Sequence, residues 1–317
     1  MFDFLLLLGG FVALIFGADK LVDAACSLAT KFGIPNIVIG LTIVAFGTSA
    51  PELVVNVIAA INNNTEMVLG NVLGSNIFNV LGILGISAII FPLAVKSNTT
   101  WYEIPLSLLA AFVVFIAAAD IYLNQNLTNI ISRSDAILLL LFFAIFLVYN
   151  IAISKSEIVD EIIEIKKYKT LTAVLFIFIG LTGLVIGGQL IVSSATSIAE
   201  AFGLSERFIG LTIVSIGTSL PELATSMVAV RKKNVDIAIG NVVGSNIFNI
   251  FFVLGISAFI TPVVVASASF VDIVMNLASG ILLFLFVFTG KHRRIDRWEG
   301  IILLGLYIAY LMYLIGF

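Results

Sequence analysis

Two stretches of this chain occur twice. GLTIVAFGTSAPELV at 40–54 returns as GLTIVSIGTSLPELA at 210–224, and GNVLGSNIFN at 70–79 returns as GNVVGSNIFN at 240–249. Both stretches return at the same offset, so each position in the first copy has a counterpart 170 residues later. The chain is therefore built from a duplicated unit, and its two halves are expected to share one fold.

Each copy carries one glutamate, Glu52 or Glu222, inside a strongly apolar run. An ionised glutamate in hydrocarbon costs roughly 2.5 kcal/mol or more unless a partner compensates its charge. A single buried acid could serve only to bridge helices. Two acids at equivalent positions indicate a functional site instead.

The composition excludes an ordinary soluble domain. Of the 317 residues 61% are hydrophobic and only 11% are charged, whereas a soluble domain carries about 25% charged residues. The mean hydropathy is +1.19. Long apolar stretches separated by short polar loops favour helices over the alternating segments of a membrane barrel. We therefore predict an all-α polytopic protein of the lipid bilayer.

Ten apolar stretches are long enough to cross a bilayer as helices, five in each half. The expected domains are a first half at 1–153, a cytoplasmic linker at 154–169 and a second half at 170–317. Ile158, Ile162 and Ile165 fall on one helical face of the charged linker, which predicts a short helix on the membrane surface. The predicted spans are 3–30, 36–61, 67–91, 104–119, 134–153, 170–200, 207–230, 236–260, 270–290 and 298–316.

The basic residues predict the orientation, because loops rich in lysine and arginine face the cytoplasm. Placing both termini outside the cytoplasm leaves only Arg133 and Arg207 in outer loops. Each half has an odd number of spans, so the second half enters from the opposite side and the repeats are inverted. Such proteins bind substrate at the midplane between the halves. The inner basic residues are Lys31, Lys96, Lys155, Lys166, Lys167, Lys169, Arg231, Lys232, Lys233, Lys291, Arg293, Arg294 and Arg297.

The first repeated motif predicts a polar face in an apolar helix. Helical spacing puts Thr48 and Ser49 on the same face as Glu52. Pro51 removes a backbone N–H, so the turn from Ala45 to Thr48 should open and present carbonyl oxygens. The second copy predicts the same arrangement for Ser215, Thr218, Ser219, Pro221 and Glu222.

The second motif adds a hydroxyl and an amide per half, at Ser75 and Asn79 and at Ser245 and Asn249. All these ligands are oxygens, with no nitrogen or sulfur ligand among them, and an oxygen cage selects a hard cation. Ca²⁺ accepts six to eight oxygens in forgiving geometry, whereas Mg²⁺ demands a tight octahedron. Two glutamates neutralise one Ca²⁺ or two Na⁺ of similar size. Mutually exclusive occupancy by these ions is a physical basis for exchange.

The motifs GTSxPE and GSNxxN in two inverted copies resemble the α-repeats of the sodium/calcium exchanger family, in the calcium/cation antiporter superfamily. The resemblance covers ten spans and implies a prokaryotic-type antiporter of the plasma membrane. The resemblance further implies a transporter rather than an enzyme, with Ca²⁺ and Na⁺ bound as substrates and with no cofactor. Glu52 and Glu222 would be the central Ca²⁺ ligands, with backbone oxygens of Thr48 and Thr218. Flanking Na⁺ sites would use Ser49, Ser75, Ser219, Ser245 and the carbonyls of Ala45 and Ser215.

The resemblance also implies that the first and sixth helices slide across the rest to give alternating access. One departure from the family pattern concerns Asn249, where similar members often carry aspartate. Asn79 is neutral as well. An amide cannot take up a proton as a buried carboxylate can, so H⁺-coupled and K⁺-assisted exchange both remain alternatives. Asn79 and Asn249 are themselves either ligands or helix-packing residues.

The first predicted span differs in its charged residues from its counterpart in the second half. Its Asp19 and Asp23 have Gln189 and Ser193 as counterparts. These acids predict either an interfacial cluster or a gating role.

Two other classes of function are weighed against an antiporter. A channel would also use oxygen ligands, but inverted halves around a midplane site favour alternating access over a continuous pore. An intramembrane protease would need a motif such as HExxH, and the single histidine, His292, lies in a basic loop. The basic residues form no long tract, so no nucleic-acid partner is expected. We therefore expect Ca²⁺ export in exchange for Na⁺.

Overall fold

A computed structural model describes residues 2–123, 128–153, 167–201, 215–289 and 293–315. Within these ranges the protein is helical apart from four two-residue strands. The predicted linker helix at 154–169 lies largely outside the described residues.

The helices follow one another in the same order in both halves. The first half contains α1 (Phe2–Phe32), α2 (Asn36–Thr48), α3 (Ala50–Ile61), α4 (Thr65–Ile90), α5 (Thr99–Ala117), α6 (Asp120–Leu123) and α7 (Arg133–Ile153). The second half contains α8 (Thr170–Ala201), α9 (Ser215–Thr218), α10 (Leu220–Arg231), α11 (Val235–Ile260), α12 (Ser269–Thr289) and α13 (Arg297–Ile315). The strands are β1 (Leu93–Ala94), β2 (Ile130–Ile131), β3 (Val263–Val264) and β4 (Arg294–Ile295).

Eight of the described helices are long and apolar enough to span a membrane, and the pair α2 and α3 makes a ninth. This agrees with the predicted all-α membrane fold. The remaining predicted span, 207–230, is described only from Ser215 onwards, as α9 and α10. The helices α4 and α11 are mostly buried, whereas the other long helices expose an apolar face. The two copies of the second motif therefore form the centre of the bundle.

The helix break in each half falls on a serine. Ser49 separates α2 from α3, which are bent by 46°, and Pro51 stands in the first turn of α3. Ser219 separates α9 from α10 in the same way, and Pro221 follows it. Proline lacks the N–H that would continue the helix, so the chain bends just before it.

Wide helical turns of the π type occur at the same place in α4 and α11, at Phe78–Leu84 and Phe248–Leu254. Such turns are frequent at functional sites because they interrupt the regular spacing of side chains. Here they contain Asn79 and Asn249. The two halves therefore repeat this irregularity as well as the sequence.

The strands show that the halves are inverted. β1 precedes α5 and pairs with β4, which follows α12, while β2 follows α5 and pairs with β3, which precedes α12. β1 and β3 are counterparts in the repeat, yet they lie at opposite ends of the bundle. The two halves must therefore cross the membrane in opposite directions, as the sequence predicted.

The helices α1 and α8 pack closely through glycines. A Cβ atom added at Gly17 would lie 2.7 Å from the carbonyl oxygen of Gly180, and one added at Gly187 would lie 2.8 Å from that of Gly10. Small residues at these positions allow the two backbones to touch. The first and sixth spans of the predicted order thus form a tightly joined pair.

Candidate cation site

The two glutamates lie buried beside the two helix breaks, and each accepts a hydrogen bond from the opposite half. Ser49 donates to Oε1 of Glu222 at 2.7 Å, and Ser219 donates to Oε1 of Glu52 at 3.3 Å. Both carboxylates are at most 1% exposed. Because each serine is three residues before the glutamate of its own half, these crossed bonds bring both acids into one site.

The serines of the second motif belong to the same cluster. Ser75 Oγ lies 3.0 Å from Ser219 Oγ, and Ser245 Oγ lies 3.4 Å from Oε1 of Glu222. Both serines are buried. The structure therefore brings six predicted residues, Glu52, Glu222, Ser49, Ser219, Ser75 and Ser245, into direct contact across the two halves.

The threonine hydroxyls bond to asparagines of the second motif. Thr48 donates to Oδ1 of Asn241 at 3.1 Å, and Thr218 donates to Oδ1 of Asn71 at 3.3 Å. These bonds also cross between the halves. The amide of Asn241 in turn donates to the carbonyl oxygen of Glu222 at 3.2 Å. The threonines thus tie the helix breaks to α4 and α11.

The predicted carbonyl ligands differ between the halves. The carbonyl of Ala45 accepts the backbone N–H of Ser49 at 3.0 Å and the hydroxyl of Thr48 at 3.3 Å. In the second half the N–H of Ser219 bonds instead to the carbonyl of Ile216 at 3.1 Å. The turn at Ala45 therefore keeps a helical hydrogen bond that sequence reasoning expected to open. Ser215 is described through its backbone, as the first residue of α9.

Asn79 and Asn249 belong to a network of four amides between α4 and α11. Asn79 Nδ2 donates to Oδ1 of Asn246 at 3.0 Å, and Asn249 Nδ2 donates to Oδ1 of Asn76 at 3.1 Å. The Oδ1 atoms of Asn79 and Asn249 remain as acceptors. Packing and ligation are therefore compatible, because one end of each amide packs while the other stays available.

Four buried oxygens of this region accept no hydrogen bond from the described residues. They are Oε2 of Glu52, Oε2 of Glu222, Oδ1 of Asn79 and Oδ1 of Asn249. A buried acceptor without a donor is costly, and such groups in native proteins require an explanation. Symmetric pairs of carboxylate and amide oxygens are the donor set that Ca²⁺ and Na⁺ prefer.

The charge of the site comes from two carboxylates, those of Glu52 and Glu222. Across the described ranges no group of three or more His, Cys, Asp or Glu side chains could hold a metal ion. The serine hydroxyls that contact the carboxylates are neutral oxygens.

A cavity of about 500 Å³ lies next to the helix breaks. It is bordered by α8, by the start of α3 and by Gly217 and Thr218 of α9. Gln189 and Ser193 of α8 contribute polar atoms to its wall, which is otherwise apolar. The helix breaks therefore border an open space on the side of α8.

Sequence reasoning missed the asparagines that support the ligands. Asn71, Asn76, Asn241 and Asn246 are buried or half-buried and hydrogen-bonded to the predicted site residues or between them. The signal was present, because all four belong to the repeated GNVLGSNIFN motif and are identical in both copies. Spacing by four residues selected only the serines and the last asparagine of that motif.

The sodium/calcium exchanger protein family model matches residues 2–152 and 172–316. The inner membrane protein YrbG of Escherichia coli is 40% identical over 266 residues, covering 81% of this chain and 79% of that protein. The sodium/calcium exchanger MaX1 of Methanosarcina acetivorans is 32% identical, covering 98% of both chains.

The solved structure of the sodium-calcium exchanger NCX_Mj, soaked with Na⁺ and without Ca²⁺, superimposes with a TM-score of 0.83. It is 32% identical and covers 98% of this chain and 97% of its own. These matches span both halves and agree with a transporter rather than an enzyme. The chain is a multi-pass membrane protein that belongs to the sodium/calcium exchanger family of cation antiporters.

Proposed function

We propose that this protein exchanges Ca²⁺ for Na⁺ through the candidate cation site, by alternating access at the midplane of the membrane. The observation that carries the proposal is the set of four buried acceptors without donors, two from each half. Bound cations would give these buried oxygens the partner that they lack among the described residues. The carboxylates supply two negative charges, so one Ca²⁺ or two Na⁺ would neutralise the site.

The packing around the site supports alternating access. The cavity lies between α8 and the first helix break, whereas the counterpart region beside α1 is filled. There Ala18, Val22 and Thr225 are fully buried. In inverted repeats, exchanging the conformations of the two halves converts one state into the other. The described conformation would thus be one of two states, with access from the side that holds the cavity.

The proposal includes the membrane in which the protein lies and its orientation there. We place the protein in the plasma membrane with both termini outside the cytoplasm, because the basic loops gather at one end. β1 pairs there with β4, and Lys96 makes an ion pair with Asp236 at 2.8 Å. The halves 1–153 and 170–317, with a cytoplasmic linker at 154–169, would then be the two working units.

Coupling to H⁺ or assistance by K⁺ is the second candidate function. It rests on the neutral amides of Asn79 and Asn249, which leave the site with only two acidic groups. Fewer charges reduce the number of cations that the site can neutralise together. The experiment must therefore determine whether Na⁺, H⁺ or K⁺ drives the transport of Ca²⁺.

The test uses the purified protein in proteoliposomes and measures uptake of ⁴⁵Ca²⁺. Vesicles loaded with Na⁺ in Na⁺-free medium should accumulate Ca²⁺, with saturation and with no uptake when choline replaces Na⁺. Parallel vesicles carry a pH gradient or internal K⁺ instead. Uptake driven by the pH gradient alone would support the proton-coupled alternative, and uptake without any counter-ion would indicate a channel.

A further inference from the structure

Four asparagines, two in each half, form a closed network between α4 and α11. Asn76 Nδ2 donates to the backbone carbonyl of Asn246 at 3.2 Å, and Asn246 Nδ2 donates to the backbone carbonyl of Asn76 at 3.4 Å. Their Oδ1 atoms accept the amides of Asn249 and Asn79. Every contact in the network joins one half to the other.

The chemistry of the amide group makes this network directional. A backbone carbonyl can only accept a hydrogen bond, so it requires the NH₂ end of Asn76 and of Asn246. The Oδ1 atoms of Asn76 and Asn246 then face Asn249 and Asn79. The side-chain NH₂ groups of Asn249 and Asn79 donate hydrogen bonds to them. The remaining oxygen ends, on Asn79 and Asn249, have no donor among the described residues. Two backbone carbonyls thus decide the orientation of four side chains.

We propose that Asn76 and Asn246 are positioning residues that make Asn249 and Asn79 present oxygen, rather than N–H, to the transported cation. An amide turned the other way would place its two hydrogens at the site and would repel a cation. It would also set two oxygens against each other at the Asn76–Asn249 or Asn246–Asn79 contact. The network therefore penalises the wrong orientation twice.

The proposal rests on the proposed function and adds residues that do not themselves bind the ion. It also gives a reason for the neutral side chain at position 249. An ionised aspartate there would direct an oxygen at Oδ1 of Asn76, which is an acceptor held in place by its own bond to Asn246. The amide satisfies this contact without a proton.

The test is a double-mutant cycle on the Ca²⁺ dependence of Na⁺-driven uptake. Asn76→Ala and Asn249→Ala are each expected to raise the KM for Ca²⁺ by about tenfold, the size expected for one lost hydrogen bond. The maximal rate should stay within about twofold. If Asn76 acts through Asn249, the double variant should be no worse than Asn249→Ala, because interacting residues are not additive.

Asn150→Ala is the matched control. Asn150 is also buried in a long helix, and its amide donates to the backbone carbonyl of Phe146 at 2.8 Å, outside the site. This variant should leave the KM unchanged. A similar rise in KM for Asn150→Ala would overturn the proposal, because it would reflect a general effect of losing a buried amide.

Additive effects of Asn76→Ala and Asn249→Ala on the KM would also overturn the proposal. A KM for the double variant near the product of the two single effects, about a hundredfold, would mean that Asn76 does not act through Asn249. Should Asn76→Ala fail to give a monodisperse protein, the symmetric cycle of Asn246→Ala and Asn79→Ala takes its place. A wild-type protein without Na⁺-driven Ca²⁺ uptake would instead refute the proposed function, which separates the two failures.

Discussion

The two ends of the bundle differ, although the two halves share one site. At the end that carries the basic loops, Lys232 makes ion pairs with Asp19 at 2.5 Å and with Asp23 at 2.7 Å. Close by, the amide of Asn234 contacts the sulfur of Cys26 at 3.1 Å. These contacts hold the end of α1 against the turn between α10 and α11.

At the opposite end, the described residues show no such contact at the counterpart positions. Asp19 and Asp23 correspond to Gln189 and Ser193 of α8, and both are exposed. Lys232 and Asn234 correspond to Asn62 and Asn64, which are exposed as well.

Equivalent helices thus make different contacts at the two ends, while the crossed hydrogen bonds in the middle are preserved. This combination is what an inverted-repeat transporter requires, because the site must serve both states while the ends alternate.

The symmetry of the site predicts that its two acids are equally necessary. Glu52→Gln and Glu222→Gln should each reduce Na⁺-driven Ca²⁺ uptake by at least about a hundredfold, because each removes one of only two negative charges facing a divalent ion. The measurement is ⁴⁵Ca²⁺ uptake into proteoliposomes that contain equal amounts of protein. Glu66→Gln, at an exposed position in the first turn of α4, should transport normally.

Uptake retained by either glutamine variant at the wild-type level would remove that glutamate from the site. Loss in only one variant would show that the halves are functionally unequal despite their matching hydrogen bonds.

The contact between α1 and α8 should tolerate no added side-chain volume. Gly17→Ala places a methyl group against the backbone of Gly180 and Leu184, which should lower the free energy of unfolding by about 1–3 kcal/mol. Thermal unfolding in detergent measures the change. Gly9→Ala in the same helix, where nothing lies within 4 Å of the added atom, is the control. Equal melting temperatures for the two variants would contradict the tight packing.

The crossed serine bonds should make similar contributions in the two halves. Ser49→Ala removes a donor from Glu222, and Ser219→Ala removes a donor from Glu52. Each should raise the KM for Ca²⁺ by about threefold to tenfold, the range that corresponds to the net contribution of one ordinary hydrogen bond. Ser257→Ala is the control, since Ser257 is buried and bonds to the carbonyl of Val253 within its own helix.

An unchanged KM in both serine variants would mean that the hydroxyls do not support the acids. A large effect of Ser257→Ala would point to helix stability rather than to the site.

The smallest expected effect concerns the basic end. Lys232→Gln should increase the rate at which a maleimide labels Cys26 by about twofold to fivefold, because an ion pair of this kind contributes about 1 kcal/mol or less. Cys26 is the single cysteine of the chain and is buried beside Asn234. Lys233→Gln makes the same charge change one residue away. Equal labelling rates in the two variants would show that the ion pairs do not hold α1 in place.

Much of this protein could be predicted from its repeats. The apolar spans, the inversion of the halves and the two acids follow from hydropathy, from the distribution of lysine and arginine and from the 170-residue offset. The spacing selected Ser49, Ser219, Ser75 and Ser245, and all four are buried in contact with one another or with the glutamates, although Ser49 and Ser219 bond to the glutamate of the opposite half. These features depend on local periodicity and on burial in lipid, which a sequence reports directly.

Other features could not be predicted in this way. The bond from the hydroxyl of Thr48 to Asn241 of the other half could not be read from the spacing of residues within one helix. The proline suggested an open turn at Ala45, but Ser49 keeps a helical bond to that carbonyl. Both outcomes depend on which side chains the second half brings near, and spacing within one helix contains no such information.

The sequence by itself determined that two inverted, apolar halves each deliver one acid and one set of oxygens, because duplication and hydrophobicity are written along the chain. Only the tertiary structure decided which of these oxygens have no hydrogen-bond donor among the described residues and are available to a cation. The serine hydroxyls of one half bond to the carboxylate of the other. The side-chain oxygens of Asn76 and Asn246 accept the amides of Asn249 and Asn79 and so fix their orientation. Such choices arise between helices, where a donor or acceptor is assigned by the neighbour that packing supplies.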